Sequence, residues 1–542
     1  LGRGAMSGST SASYNVAIGN NAGAAMTTGD LYNTLVGNGA GSSLTSGNRN
    51  IFMGASAGDG HDTETHNLGI GVASLGGSIA GGEYNVAIGN YSLDALTSSD
   101  FNTAVGYRTG TSITTGDGNT LFGYEAGSAI TGGGAYNVCV GVGTGSAITT
   151  GIRNTLIGQA GYNFDAENDN LGIGHGALGG AINGGEYNVA IGNYALDALT
   201  SADFVTAVGY QAGSAVTTGG YNTLIGHQSG DAITSGNTNT AVGHGSLGTL
   251  TQGDRNVAVG SGALGTFNPS GNTDDSNTAV GYGACNEITT GVFNIAFGGL
   301  ALGGAVTTEN RNMAIGYASM SANIAGGEYN VGVGNLTLSS LTSGDNNTVV
   351  GYNSMKNMTT GSNNTAVGYD CMGDVDGGSG NINIGDASSN GANTNHSIVI
   401  GQAASGKGSN TGFISPNAGP VYQGNNASTW STTSDERIKK NIKDNTIGLE
   451  KINKIKVRNF EYRLPEEITE VPSHAAIKKE GVQLGAIAQE IQEVLPDTVT
   501  QTTHGVYSVN PDNITWYLVN AVQELSATIT TLQQEINTLK GE

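Results

Sequence analysis

Ser434 stands five residues ahead of Lys439 in the run Thr433-Ser-Asp-Glu-Arg-Ile-Lys-Lys-Asn-Ile442, where a glycine-rich chain gives way to a charged one. A serine hydroxyl is a poor nucleophile until a base removes its proton. A lysine can be that base when burial or neighbouring cations lower its pKa toward neutrality. Arg437 and Lys440 supply the cations, and Asp435 adjoins the nucleophile. The chemistry open to this set is acyl transfer within the chain. Ser434 Oγ attacks the Thr433 carbonyl, Lys439 takes the hydroxyl proton, an ester replaces the amide, and water hydrolyses the ester. The plain alternative is a helix cap, because serine followed by acidic residues is a common start signal. A separation of five does not fit one helical face, where three or four is needed, so the pair is expected on a turn or strand.

Two further motifs accompany this one. Ser434 to Ile442 reads Ser-Asp-x-Arg-x-Lys-x-Asn-Ile, Phe460-Glu461-Tyr462 gives Phe-x-Tyr, and Gly485 to Pro496 gives a Gly-x-x-Ala-Gln-Glu helix ending in proline. Together they resemble the intramolecular chaperone domain of phage tail spikes and fibres, the endosialidase-type domain classed as a serine peptidase of the S74 type. The resemblance covers about a fifth of the chain. It implies a domain that trimerises the fibre, guides its folding and then cuts before Ser434, with Ser434 and Lys439 catalytic and no activity on external substrates. The partners it implies are two further copies of the chain, other virion tail proteins and a receptor on the host cell. The place it implies is a virion assembled in the host cytoplasm.

The elements that must carry this segment are repeats. Asn-x-x-x-Gly recurs from Asn15 to Asn381 at a step that is almost always 17 or 18 residues, with Val205 and Ser397 standing in the same register. A unit reads Asn-Thr-Ala-Val-Gly-Tyr-x-Ala-Gly, as from Asn102. Alternating Thr, Ala and Val predict a short strand, and the glycines permit the positive-φ corners on either side. So short a unit cannot bury a core alone and must stack on its neighbours, which predicts a mainly β fold: a parallel β-roll or β-helix with one unit per coil and the asparagines stacked as a ladder. About 23 coils at about 4.8 Å would extend about 110 Å. The units resemble the head repeats of trimeric autotransporter adhesins, which are shorter and form such rolls in parallel trimers. Asn67 to Phe101 also recurs as Asn170 to Phe204, a shift of 103 residues, the mark of growth by duplication. The expected organisation is a rod over 1–394, a tip or linker over 395–433, and a chaperone autoprotease over 434–542 of α+β type.

Composition removes several functions. Before Ser434 there are 86 of the 91 glycines, and eight Lys and Arg stand against 27 Asp and Glu, so the rod carries about −19 of the net −23. Binding nucleic acid needs a basic face, which is missing. The glycines lack a Gly-X-Y period, which excludes collagen, and no run of about 20 apolar residues could span a membrane. Leu1 reads as the start of a fragment or processed form. Cys139, Cys285 and Cys371 occupy small-residue positions of the coils and read as buried hydrophobes. No metal or cofactor is expected: His61, Asp62, Glu64 and His66 form the only local cluster of ligand types, and a solvated loop explains them better. The Gly-x-Gly pairs are corners that precede no helix, so they do not bind phosphate.

Phe413, Tyr422 and Trp430 lie among Ser, Gly and Asn between Gly412 and Thr433. After cleavage this segment would be the distal tip, and its aromatics are candidates for contact with a sugar or protein receptor. Near the end, Val522, Leu525, Ile529, Leu532, Ile536 and Leu539 follow a 3-4-3-4-3 spacing, a coiled-coil seam whose strand number the pattern leaves open. Helices are also expected within Asn441–Leu464, followed there by a strand, and over Gly485–Leu495. The reading is a phage tail fibre or spike for host attachment whose C-terminal domain releases itself. Alternatives are a polysaccharide-degrading spike, which would need paired carboxylates about 5 to 10 Å apart in a groove, and a purely structural shaft.

Overall fold

The structure is a computed structural model that describes residues 2–163, 165–271, 274–304, 308–373, 375–415, 421–423, 436–464, 467–468, 480–501 and 506–541. The chain forms two compact units, Leu1–Thr433 and Ser434–Glu542.

The first unit is a parallel β-solenoid. Each coil contributes one three-residue strand to a common ladder, from Val16–Ile18 through Gly412–Ile414, and Ser11–Ser13 pairs with Thr28–Asp30 in a separate two-stranded parallel sheet. Each strand pairs in parallel with those of the coils before and after, without slip: Thr103 lies opposite Val86 on one side and Thr120 on the other. Strand geometry points alternate side chains to opposite faces. The middle residue of each strand, as in Ala104, Leu121 and Cys139, is therefore fully buried, while its neighbours face outward. The ladder outlasts the sequence repeat. Ile398–Ile400 and Gly412–Ile414 still stack in parallel, and Val421–Gln423 then returns antiparallel along the last of them.

A buried amide closes nearly every coil, Val205 and Ser397 being the positions in register that lack one. Asn119 donates its N–H to Asn102 Oδ1 at 2.9 Å, and its own Oδ1 accepts from Asn137 N–H at 3.0 Å. Its Nδ2 reaches the carbonyl of Gly134 at 3.0 Å, tying the start of the coil to its end. The pattern repeats down the stack, for example at Asn50, Asn154 and Asn347. Leucine, isoleucine and methionine fill the slot eleven residues after the asparagine, as in Leu44, Ile113, Ile130 and Met358. Close packing then couples sizes across a coil. Where Phe52 takes the middle strand position, Gly58 lies on its ring, and a Cβ there would fall 2.5 Å from ring carbons.

The glycine after each strand is required by both space and conformation. Gly106 has φ +144°, and a Cβ on it would lie 2.2 Å from the carbonyl oxygen of Gly123 in the next coil. The duplication has a third copy that begins at Asn312. Glu64, Glu167 and Glu309 are buried at equivalent places, and each accepts a backbone N–H from the following coil: Gly81, Gly184 and Gly326.

The second unit holds α1 (Leu449–Ile452), α2 (Ala488–Val494) and α3 (Pro511–Lys540), with two antiparallel pairs, Arg458–Phe460 on Gln483–Gly485 and Val499–Gln501 on Tyr507–Val509. The helix expected from Asn441 is a single turn. The helix expected from Gly485 starts at Ala488, because Gly485 is held opposite Arg458 in a strand. α3 has clear ends: Asn510 accepts from Asp512 N–H at 3.0 Å, Pro511 takes the first turn, and Gly541 stops the helix at φ +73°. A small core joins Ile491, Leu495, Val499 and Tyr517.

The ladder makes a stability prediction. Val205 occupies an asparagine position and receives Asn188 Oδ1 through its N–H at 2.9 Å, but its side chain has no amide to pass on. Val205→Asn should stabilise the neighbouring coils by about 1 kcal/mol, and Asn119→Ala should cost about 1 to 3 kcal/mol by orphaning buried groups. Hydrogen exchange of amides in the adjoining coils measures both, since coil stability is local in a stacked array.

Candidate functional site

Two of the three motifs that mark the C-terminal unit meet in space. The Phe460 ring packs on Gly485, where a Cβ would lie 3.1 Å from a ring carbon, and crosses Tyr462 edge-on at 5.4 Å. Arg458 forks onto Glu490 with contacts of 2.7 and 3.1 Å, fixing α2 against the strand pair. That pairing holds the Glu490 carboxyl below its ordinary pKa, through the hydrogen bond from Arg458 first. α3 binds the segment before α1: Glu524 accepts the Leu449 N–H at 2.7 Å, and Asn520 Nδ2 reaches the carbonyls of Asn445 and Ile447 at 3.0 and 3.1 Å. Tyr517 donates its hydroxyl to Asp497.

Glu436–Ile438 forms one turn of 3₁₀ helix, and the Lys439 N–H donates to the Glu436 carbonyl at 3.0 Å. Lys439 therefore leaves a tight turn rather than an α-helix, and its side chain is exposed, as are Arg437 and Lys440. Thr433, Ser434 and Asp435 lie outside the described residues.

A long parallel β-solenoid followed by a compact α+β unit that holds these motifs is the class of molecule in hand. Residues 434–500, within the C-terminal unit, match the family described as the chaperone of endosialidase, Peptidase_S74. The family implies a self-cleaving intramolecular chaperone peptidase. Comparison with curated proteins and with solved structures found no match.

Of the three aromatic candidates for receptor contact, Phe413 is ruled out by its burial. It is 4% exposed, packed on Val399 and Ala404 as the middle residue of the last parallel strand, with Lys407 Nζ 5.0 Å from the ring centroid. The alternation that buries every other middle strand residue buries this one. Tyr422 lies opposite it in the antiparallel pair. The Tyr422 side chain and Trp430 lie outside the described residues.

The solvated loop expected around His61 is also corrected. His61 sits eleven residues after Asn50, in the slot filled elsewhere by leucine or isoleucine. It is fully buried with its ring tilted over Phe52 at 4.7 Å, and neither ring nitrogen has a hydrogen-bond partner. Glu64 is buried too, and accepts the N–H groups of Asp62 and Thr63 at 2.7 and 3.1 Å and of Gly81 at 3.0 Å. His66 instead stacks on Tyr84 at 4.7 Å, so the two histidines are held apart. Among the described residues no group of His, Cys, Asp and Glu could hold a metal ion. The cysteines are buried as free thiols, and burial pushes Cys139 up to about 12.

Burial lowers the His61 pKa to about 3. The unfolded chain binds this proton near pH 6.5 while the folded coil does not, so stability falls as pH drops from about 6.5 toward 3, by about 1.4 kcal/mol per pH unit. His61→Leu should remove that slope. The gain in melting temperature over the parent should widen between pH 8 and pH 4.5, and a constant gain would contradict the burial of a neutral ring.

Proposed function

We propose that the protein is a viral tail fibre or tail spike, most simply of a phage. Its solenoid carries a host-attachment surface, and its C-terminal unit trimerises the chain, directs its folding and cuts before Ser434. The observation that carries this reading is a coincidence of boundaries: the chaperone-family match and the compact second unit both begin at Ser434, directly after a long parallel solenoid. The α3 seam supports assembly, because Val522, Leu525, Ile529 and Leu532 are 45 to 59% exposed in the single chain, where a coiled coil would cover them.

Ser434 is the nucleophile and Lys439 the base. In one chain Lys439 is exposed, whereas a lysine is made into a base by desolvation and neighbouring cations. Cleavage is therefore expected to await assembly, when neighbouring copies desolvate and crowd the ammonium. Ser434→Ala and Lys439→Ala should each leave a full-length band on a denaturing gel, while the parent resolves into two fragments. Efficient cut in either variant removes the dyad.

Release would uncover the segment before Ser434, where Tyr422 and Trp430 remain the recognition candidates. A second reading is favoured by the exposed, stacked rings on the solenoid flank, Tyr187–Phe204–Tyr221 at 5.1 Å steps: such a row offers apolar surface for a glycan or protein. Adsorption decides between them. Loss of binding in Trp430→Ala or Tyr422→Ala with an intact trimer supports the tip; loss only in Phe204→Ala and Tyr221→Ala places recognition on the flank. If all variants adsorb normally, the chain is a shaft.

A further inference from the structure

One file of side chains is apolar without exception although a single chain leaves it facing solvent. The third residue of every strand of the parallel ladder is Val, Ile, Met or Phe, from Ile18 to Ile414, and none is buried. Phe122 and Phe297 are 55 and 56% exposed, Ile18 is 50% and Ile384 is 41%. Strand propensity alone does not account for this. The first residue of the strand faces the same way and is threonine in ten coils, among them Thr103, Thr206 and Thr240, which shows that a polar β-branched side chain serves the strand equally well. Two residues further on threonine never appears. Neither file contains a charged residue, in a unit that carries about −19 overall.

A contiguous apolar strip of this length on a folded unit marks an interaction surface. Its occupant is constrained by repetition. The strip advances one coil per strand spacing with the same chemistry at each level, so a partner must present apolar groups at the same pitch over the same length. Another copy of this chain, parallel and in register, does so. Charge points the same way, since copies that repel through acidic residues elsewhere can approach along a face whose strand positions carry no charge. Size is sufficient. A strip about 110 Å long and about 7 Å wide, the separation of alternate residues in a strand, gives close to the about 800 Å² per partner of a stable interface. The exposed seam of α3, in the other unit, is a second, independent surface of the self-associating kind.

We infer that the third strand residues line the contact between copies of the solenoid, with Val208, Ile225 and Val242 representative of its middle. This rests on the trimer of the proposed function and adds which face meets which.

The test uses the full-length chain with its C-terminal unit intact. Native cysteines are buried, so Val208→Cys should oxidise to disulfide-linked dimers of chains on a non-reducing denaturing gel, whereas Thr218→Cys, exposed on another corner of the coil, should not. Val208→Lys combined with Ile225→Lys and Val242→Lys should lower the sedimenting mass of the solenoid after release of the C-terminal unit, and Thr218→Lys should leave it unchanged. A chain that sediments as a trimer but shows equal cross-linking at both cysteine positions, or none at Val208→Cys, overturns the assignment of this face while the trimer stands. A parent that sediments as a monomer overturns both.

Discussion

A hydrogen bond between side-chain amide and backbone, repeated in nearly every coil, is the constraint on which the solenoid depends. A strand of three residues is too short to hold a coil by its ladder alone, and the cysteines are free thiols that cross-link no coils. The asparagine supplies what is missing. Its Oδ1 accepts the next asparagine's N–H, and its Nδ2 donates to the carbonyl fourteen residues on, as from Asn347 to Gly361 at 2.8 Å. The first bond sets the stacking and the second sets the circumference. Both are buried, so breaking either leaves a desolvated polar group. Length changes are therefore confined to the limb between them. Asn256 to Asn277 takes 21 residues and Asn381 to Ser397 takes 16, yet the strands that follow stay in register.

Strain is the other side of this economy. The residue before the asparagine is held at positive φ in coil after coil, and it is often aromatic: Tyr84 at +59°, Tyr187 at +60°, Tyr329 at +58°. A bulky residue there costs on the order of 1 kcal/mol or more. Stacking offsets it. Tyr84 lies between His66 and Phe101, and Arg311 sits between Phe293 and Tyr329 at 5.2 and 5.5 Å, contacts worth about 0.5 to 1.5 kcal/mol each. The unfavourable backbone angle and the favourable ring contact are thus produced by the same turn, and neither is available to an isolated coil.

The asparagine register and the alternation within each strand were legible in the sequence because each is periodic, and periodicity reports directly on which face is buried. The errors at His61 and Phe413 share one cause. Both were read by residue type, a histidine among acids and an aromatic among small polar residues, while the register already placed them in core slots: His61 eleven after Asn50, and Phe413 in the middle of a strand. Position in the coil outranked chemistry. The third copy of the duplication announces itself by Gly-Gly-Glu-Tyr-Asn at 326–330, a signal present but not aligned. Whether Lys439 is a competent base was not legible, because desolvation is a property of packing and not of spacing.

The exposed file of third strand residues gives the C-terminal unit a physical reason to exist. Contacts in the solenoid are between adjacent coils, so once begun it can propagate coil by coil. Beginning it is costly, because one three-residue strand has almost nothing to bury until a neighbour forms. A growing coil also presents a strand edge and an apolar strip at once, the combination most prone to mispairing. In the proposed function, a separately folding unit with its own core and an exposed helical seam would bring chain ends together at equal register before the strips are complete. The strips would then close on each other instead of on misaligned copies. In that scheme the unit's part would be complete once they had closed, because the strand ladder and the asparagine bonds of the solenoid all lie before Ser434.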